Sequence, residues 1–342
     1  MLRGMLPVLG TLVFTLGAFF SCSLVPDPRP SHRVVVASWN VQNLFDEVDD
    51  GDEYPEFDPG RGWTRAQFWT RCQALAQVIR TLGDGGPDIL VLEEVEGAHA
   101  LEVLNSRFLP DLGYRYSFMA PPQVAGVKTA FLSRFPLVRT GLHFPPSEFE
   151  TEPLRPLVEA EFDLGGRALV VVGNHWKSRI PSPAATEHLR LASAQTLRAR
   201  LTSLDQRSDH PFVVALGDFN TSLELSRSYA DKALASASTN PHHPSFLVFA
   251  KREAAEKARQ PGTVWDPWST VASPAGSYVY RGDWDRLDHA FITAPSLCLS
   301  DWAFESFRVV AYSPEPRAYG PKSTDGVSDH FPLVVSLVRK SP

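Results

Sequence analysis

Eight short aliphatic runs punctuate the sequence: Val34–Trp39, Ile89–Leu92, Thr129–Leu132, Leu157–Phe162, Ala168–Gly173, Phe212–Leu216, His289–Ile292 and Leu333–Val338. Runs of this length, rich in Val, Ile, Leu and Phe and bounded by polar or turn-forming residues, read as strands. Helical periodicity marks Thr64–Leu82, with Phe68, Cys72, Leu75, Ile79 and Leu82 on one stripe, and also Ala98–Phe108 and Ala185–Ser203. So many strands with so few helices between them predict an α/β architecture in which two sheets pack face to face and helices cover the outer faces.

The 342 residues are 43% hydrophobic and 21% charged, an ordinary globular composition. A net charge of −6 argues against a protein that grips duplex nucleic acid by bulk positive charge. It leaves a phosphate substrate open, because a bound divalent cation can be the largest local charge in a site. Within residues 1–21, Arg3 precedes an apolar run from Met5 to Phe20, which is shorter than the ~18 or more apolar residues of a spanning helix and reads as a signal peptide. Cys22, directly after Ser21, looks like the lipidated cysteine of a bacterial lipoprotein. The expected protein is therefore exported, anchored to a membrane in the periplasm or at the cell surface, and monomeric. Residues 22–32, with three prolines, read as a tether, and 33–340 as one domain. Of the two remaining cysteines, Cys72 falls on the apolar helical stripe and is expected to be a buried free thiol. Leu223–Gly276, rich in Ser, Ala, Pro and His around a charged helical piece at Lys251–Arg259, is expected to be a surface insertion beside the functional site.

Polar residues gather where several of the strands end, positions at which a rigid scaffold can hold a side chain that a ligand still reaches. Val34–Trp39 runs into Asn40, a residue that at a strand end is more often part of an ordinary turn. Ile89–Leu92 runs into Glu93, Glu94 and Glu96. Carboxylates at the end of an apolar strand are costly unless water, a basic side chain or a metal compensates them. Carboxylate oxygen is what Mg²⁺ takes, and a solvated loop is the alternative. Ala168–Gly173 leads to His175, Lys177 and Arg179, a set able to grip a phosphate. Phe212–Leu216 ends at Gly217, Asp218 and Asn220; the last two share one face of an extended chain, and Gly217 permits close backbone approach. The stretches Asp285-Arg286-Leu287-Asp288-His289 and Ser328-Asp329-His330 place acid beside imidazole. That pairing suits hydrolysis, the imidazole taking a proton from water while a carboxylate, for which Asp288 is the candidate, orients the ring.

In order, Trp39-Asn40-Val41, Leu92-Glu93-Glu94-Val95-Glu96, Asn174-His175, Gly217-Asp218-Phe219-Asn220, Arg286-Leu287-Asp288-His289 and Ser328-Asp329-His330 closely resemble the motifs of the endonuclease/exonuclease/phosphatase superfamily, the DNase I-like fold. Trp39–Asp46, Trp63–Ile79 and Tyr280–Ile292 further resemble a bacterial exported branch of it. The resemblance implies a four-layered α/β/β/α sandwich of two mostly antiparallel sheets flanked by helices. It also implies roles. Glu94, Asn40 and Asp329 match the metal site, for Mg²⁺ or alternatively Mn²⁺. His330 with Asp288 matches the catalytic pair, Asp218 and Asn220 match residues that orient the nucleophile and bind phosphoryl oxygens, His175 matches a second active-site histidine, and Arg155 a phosphate-binding arginine. Two departures stand out: Glu93 occupies a position that is usually Gln, adding negative charge, and Gly126–Leu132 offers no carboxylate partner for His175.

The implied activity is metal-dependent phosphodiester hydrolysis, with Asp218 and His330 competing for the role of base. DNA or RNA is the first expected substrate, a phospholipid or sphingomyelin the second and an inositol phosphate the third. A non-catalytic surface-binding lipoprotein is the reading from another class. Against it stands the fact that all the principal chemical positions are filled.

Overall fold

Each of the two sheets is organised around one parallel strand pair joined by a helix. The computed structural model describes residues 32–51, 53–121, 126–146, 154–221, 247–258, 261–321 and 326–341. The expected signal peptide, Cys22 and the tether as far as Ser31 lie outside them. In the first half, β1 (Arg33–Leu44) leads through α1 (Arg65–Arg80) to β2 (Ile89–Val95), which lies parallel to β1. In the second, β7 (Ala168–His175) leads through α3 (Pro183–Asp205) to β8 (Phe212–Asp218), again parallel. Both helices start where the sequence supplies a cap. Thr64 and Gln67 form a reciprocal capping box ahead of α1, and Ser182 caps α3 with Pro183 at its first position.

Further strands extend both pairs, antiparallel to their neighbours except for the last strand of the second sheet. The first sheet runs β14 (Trp302–Val309), β15 (Leu333–Arg339), β1, β2, β4 (Lys128–Ser133) and β3 (Tyr116–Met119). The second runs β5 (Leu137–His143), β6 (Leu157–Asp163), β7, β8, β13 (Asp288–Thr293), β10 (Thr263–Trp265) and β9 (Val248–Phe249). A small hairpin, β11 (Tyr278–Tyr280) and β12 (Asp283–Asp285), stands apart from both.

Strand alternation sorts the side chains into layers. Val34 and Val36 of β1, Leu169 and Val171 of β7, and Phe212, Val214 and Leu216 of β8 enter the core between the sheets. Their neighbours turn outward under helices. Val35, Ala37 and Trp39 cluster with Phe68, Cys72, Leu75 and Ile79 of α1, and Val170, Val172, Val213 and Ala215 cluster with Ala194, Leu197 and Leu201 of α3. Each fully buried Val or Leu contributes roughly 1.5–3 kcal/mol, so the fold rests on strands covered on both faces. The result is the four-layered sandwich that the resemblance implies.

All eight expected strands are present. The unexpected ones include β3, β5 and β14, all sheet edges, and β10, only three residues long. The expected insertion needs correction. From Leu247 onward it supplies β9, α4 (Arg252–Ala258) and β10, which pairs with β13, and Trp265 and Trp268 lie in the inter-sheet core. Residues 222–246 lie outside the described part. The helical stretch expected over Ala98–Phe108 is α2 (Ala98–Val103) continued by a wider turn at Leu104–Phe108. Cys72 is a buried free thiol, its pKa raised by burial, and Cys298 is also free. No helix among the described residues is long and apolar enough to cross a membrane.

This topology brings chemistry to one edge. In β1 and β2, Asn40 lies beside Glu93; in β7 and β8, His175 lies beside Asp218, and Asp288 opens β13 opposite Asp218. The close approach is made at Gly217, which has φ 135°, and where a Cβ would sit 2.0 Å from the Asn174 carbonyl oxygen. Gly217→Ala should therefore lower stability by at least about 1–3 kcal/mol, the cost of a strained backbone residue before the clash is added. Urea unfolding measures it, and an unchanged midpoint would contradict the packing described.

Candidate active site

The strand ends that carry the polar residues are bent into the left-handed region and tied there by side chains. Gln42, Asn43, Glu94 and Asn220 have φ of 53°, 56°, 66° and 52°. Such conformations cost free energy in non-glycine residues and persist where neighbours hold them. Here Asn40 Oδ1 accepts from the Gln42 amide (2.9 Å), Glu94 Oε2 from the Asn43 amide (2.9 Å), and Asp218 Oδ1 from the Asn220 amide (2.8 Å). Arg71, buried in α1, donates to the carbonyls of Val41, Gln42 and Val327 and lies 4.2 Å over the Tyr319 ring. Gln42 adds a second tie, its Oε1 accepting from the amides of Tyr319 (2.6 Å) and Asp329 (3.3 Å). The end of β1 is thereby fixed to the segment that carries Ser328, Asp329 and His330.

His330 is held from every side. Its Nδ1 donates to Asp288 Oδ2 (2.8 Å), an oxygen that also accepts from Ser277 Oγ (2.6 Å). Its carbonyl accepts from Trp39 Nε1 (2.9 Å) and the Tyr312 hydroxyl (3.1 Å), and its ring rests against Tyr278. Nε2 is left facing Asp218 Oδ2 at 3.9 Å and Asp329 Oδ1 at 4.0 Å. Burial pulls the imidazole pKa down, but the charges of Asp288 and Asp218 and the Asp288 hydrogen bond outweigh it and hold the pKa well above 6.5. Asp218 moves the other way from a typical carboxylate: burial raises it to about 7, against the pull of His330.

Asn40 and Glu94 are hydrogen-bonded to each other, and further hydrogen bonds fix how each is turned. Because the Gln42 amide can only donate, it fixes Asn40 Oδ1 on itself and leaves Nδ2 to donate to Glu94 Oε1 (3.0 Å) and Asp218 Oδ2 (3.1 Å). Asn40 thus orients the carboxylates and does not present its oxygen to them. Glu94 is partly exposed, and burial followed by the charge of Asp329 raises its pKa. A carboxylate crowded by another carboxylate fits a hard divalent cation, which needs only one or two such ligands. Asp218, Asp288 and His330 also bring ligand atoms within 4.8 Å of one another, although Asp288 and His330 are already bonded together.

Burial works against the extra negative charge expected at Glu93. Fully buried, it accepts from Ser38 Oγ (2.7 Å), and burial raises its pKa well above the usual carboxylate range. A neutral carboxylic acid has the size of glutamine, which accounts for its place beside the site. His175, buried, has Nδ1 without a hydrogen-bond partner and Nε2 at 3.5 Å from Glu94 Oε1 and 3.9 Å from Asp218 Oδ2. Burial, then repulsion from Arg155 and His330, lowers its pKa well below 6.5, so it is a neutral imidazole. Arg155 is close enough to act on both Glu94 and His175, and its Nε is buried without a partner. Asn220 Nδ2 donates to the Trp176 carbonyl and to Asp218 Oδ2, both at 3.1 Å, so its amide group steadies Asp218.

Ser277, Arg71, Gln42 and Tyr278 belong to this assembly although no sequence pattern assigned them to it. For Arg71 a signal existed: it lies on the apolar stripe of α1, three residues after Phe68 and next to Cys72, where an arginine needs a buried partner. Ser277 carried none, since its partner Asp288 is brought near only by the fold.

A family model described as "Endonuclease/Exonuclease/phosphatase family" matches residues 35–339. No curated protein sequence matches the chain. Among solved structures, an endonuclease/exonuclease/phosphatase family protein from Bacteroides thetaiotaomicron is 18% identical, with a TM-score of 0.55 over 90% of this chain and 98% of that one. TDP2 from D. rerio, complexed with single strand DNA product, is 15% identical, with a TM-score of 0.53 over 89% of this chain and 98% of that one. The human Nocturnin catalytic domain with bound sulfate anion is 16% identical, with a TM-score of 0.53 over 90% and 94%. At these identities the structural likeness establishes the fold.

The raised pKa of Asp218 has a consequence for the metal-free protein. Its folded value of about 7 lies above its ordinary 3.8, so its contribution to stability is complete below pH 3.8 and is lost as the pH rises through 7. Asp218→Asn, neutral throughout, should gain on the wild type in melting temperature as pH goes from about 4 to 8. Parallel stability curves for the two proteins would refute the burial of this carboxylate.

Proposed function

The chain belongs to the endonuclease/exonuclease/phosphatase family, whose members are phosphoric ester hydrolases, and we propose that it is a Mg²⁺-dependent phosphodiesterase acting on nucleic acid outside the cytoplasm. The observation that carries this reading is the charged His330–Asp288 pair facing Asp218 beside Glu94. Glu94 and Asp329 would hold the Mg²⁺, which supplies neutralisation of a phosphoryl oxygen and of the leaving oxygen.

The remaining steps follow from the charges of the side chains. Asp218, with a pKa near neutrality, is suited to orient the attacking water and take its proton, as a base works best when its pKa lies near the working pH. His330, kept protonated by Asp288, is a poor base and a good cation, so its Nε2–H would stabilise the charge building on a phosphoryl oxygen. Neutral His175 would donate a hydrogen bond to another oxygen, and Arg155 would add a guanidinium. Asn40 and Asn220 keep Glu94 and Asp218 aimed.

Nucleic acid is favoured because a structurally similar protein, TDP2 from D. rerio, is observed with single strand DNA product. Phospholipid is the second reading, supported by the apolar run Met5–Phe20 and Ser21-Cys22, which suit export and lipid anchoring at Cys22. Single-stranded DNA, duplex DNA, RNA and sphingomyelin vesicles should be compared with purified protein in Mg²⁺ and after chelation. Nucleotide release that vanishes on chelation and falls about 10²–10⁴-fold in both Glu94→Ala and His330→Ala is expected. Retained activity in either variant would sink the assignment, and phosphocholine release without nucleotides would replace nucleic acid by lipid.

A further inference from the structure

A second group of acids stands outside the site, where the chain leaves the two central strands of the first sheet. Asp46 and Glu47 follow β1, Glu96 follows β2, and His99 is in α2. Ligand atoms of Asp46, Glu47 and His99 lie within 4.8 Å of one another. Acidic crowding alone says little, but the hydrogen bonds add an independent observation. Glu96 is 2% exposed; its Oε2 accepts from the Asp46 amide (2.7 Å), while Oε1 is buried with no hydrogen-bond partner. Glu47 Oε2 is also buried and unbonded, 3.8 Å from His99 Nε2. Glu96 and His99 line the same cavity, together with Asp50.

Nearby cations only partly answer these acids. Arg65 Nε is 3.5 Å from Glu47 Oε1, and the Lys128 ammonium donates to the carbonyls of Glu96 and Gly126. A buried carboxylate oxygen without a donor loses the hydration it would have in water, and a metal ion restores that loss most directly. Carboxylate oxygens select hard divalent cations, and one imidazole is compatible with Mn²⁺ as well as Ca²⁺.

We propose that Asp46, Glu47 and Glu96, with His99, bind a hard divalent cation of the Ca²⁺ or Mn²⁺ type at a structural site separate from Glu94. Such an ion would pin the turn after β1 to the end of β2, the two strands that carry Asn40 and Glu94. The test uses the full chain with Glu94→Ala, which disables the first site. After chelation, Ca²⁺ and Mn²⁺ should each be titrated by calorimetry and by thermal melting; the tighter of the two identifies the ion. One binding event and a raised melting temperature are expected in Glu94→Ala. Adding Glu96→Gln should weaken that affinity at least tenfold. Should Glu96→Gln fail to fold, the more exposed Glu47→Gln serves the same purpose. Absence of binding and of a melting shift for both ions in Glu94→Ala, or unchanged affinity in the Glu96 and Glu47 variants, would overturn the proposal.

Discussion

One side-chain amide joins the two sheets at the edge where the chemistry collects. Asn40, on β1, donates from Nδ2 to Glu94 on β2 and to Asp218 on β8, so carboxylates from opposite sheets converge on a single nitrogen. Sheets that touch only through aliphatic side chains can slide, because the hydrophobic effect has no direction. A hydrogen bond with a buried charged acceptor is directional and worth roughly 1.5–3 kcal/mol. The position of Asp218 relative to Glu94 depends on it, and so does any ligand that must touch both. Arg71 and Gln42 serve the same end from beneath, since they hold the segment on which Asn40 and His330 sit.

The site accumulates more buried negative charge than a stable core would choose, and the protein divides the problem. Burial pushes Glu93 toward its neutral form and raises Asp218 to about 7. Asp288 is bonded to a charged His330 and to Ser277. Glu94 is raised by burial and then by the charge of Asp329. That unresolved pair is where a cation has most to offer. A locally unfavourable arrangement that the surrounding structure maintains is what a functional site costs in stability.

Legibility in the sequence followed burial. The eight strands read from aliphatic runs are all interior to their sheets, and most are nearly continuous in apolar residues; in β6 the alternating Glu159 and Glu161 are buried against Arg200 and Arg207. Edge strands β3, β5 and β14 keep one face in solvent; in β14 the exposed Glu305 and Arg308 interrupt Trp302, Phe304, Phe307 and Val309. The short β10 was hidden in a stretch whose Ser, Ala, Pro and His content looks like a loop, although Trp265 and Trp268 anchor it in the core. At the site, residues at strand ends were visible because a polar residue that closes an apolar run is conspicuous. Charge states were not visible, because they arise from neighbours distant in the chain. Glu93 reads as an anion, yet burial favours its neutral form; His330 reads as a base, yet Asp288 and Asp218 outweigh burial and favour its charged form.

The positions of the site residues follow from the parallel pairs. A strand, a helix and a parallel strand return the chain to the same edge, so the carboxyl ends of β1 and β2, and those of β7 and β8, open in common directions. The antiparallel neighbours β13 and β15 must then begin at that edge, which delivers Asp288 at the first residue of one and His330 just before the other. Two sheets packed with these edges together therefore face Glu94 of one sheet against Asp218 of the other. His330 precedes β15 of the first sheet, and its hydrogen-bond partner Asp288 opens β13 of the second. The His330–Asp288 pair and the Glu94–Asn40–Asp218 junction are thus split between sheets, and both exist only when the sandwich is closed.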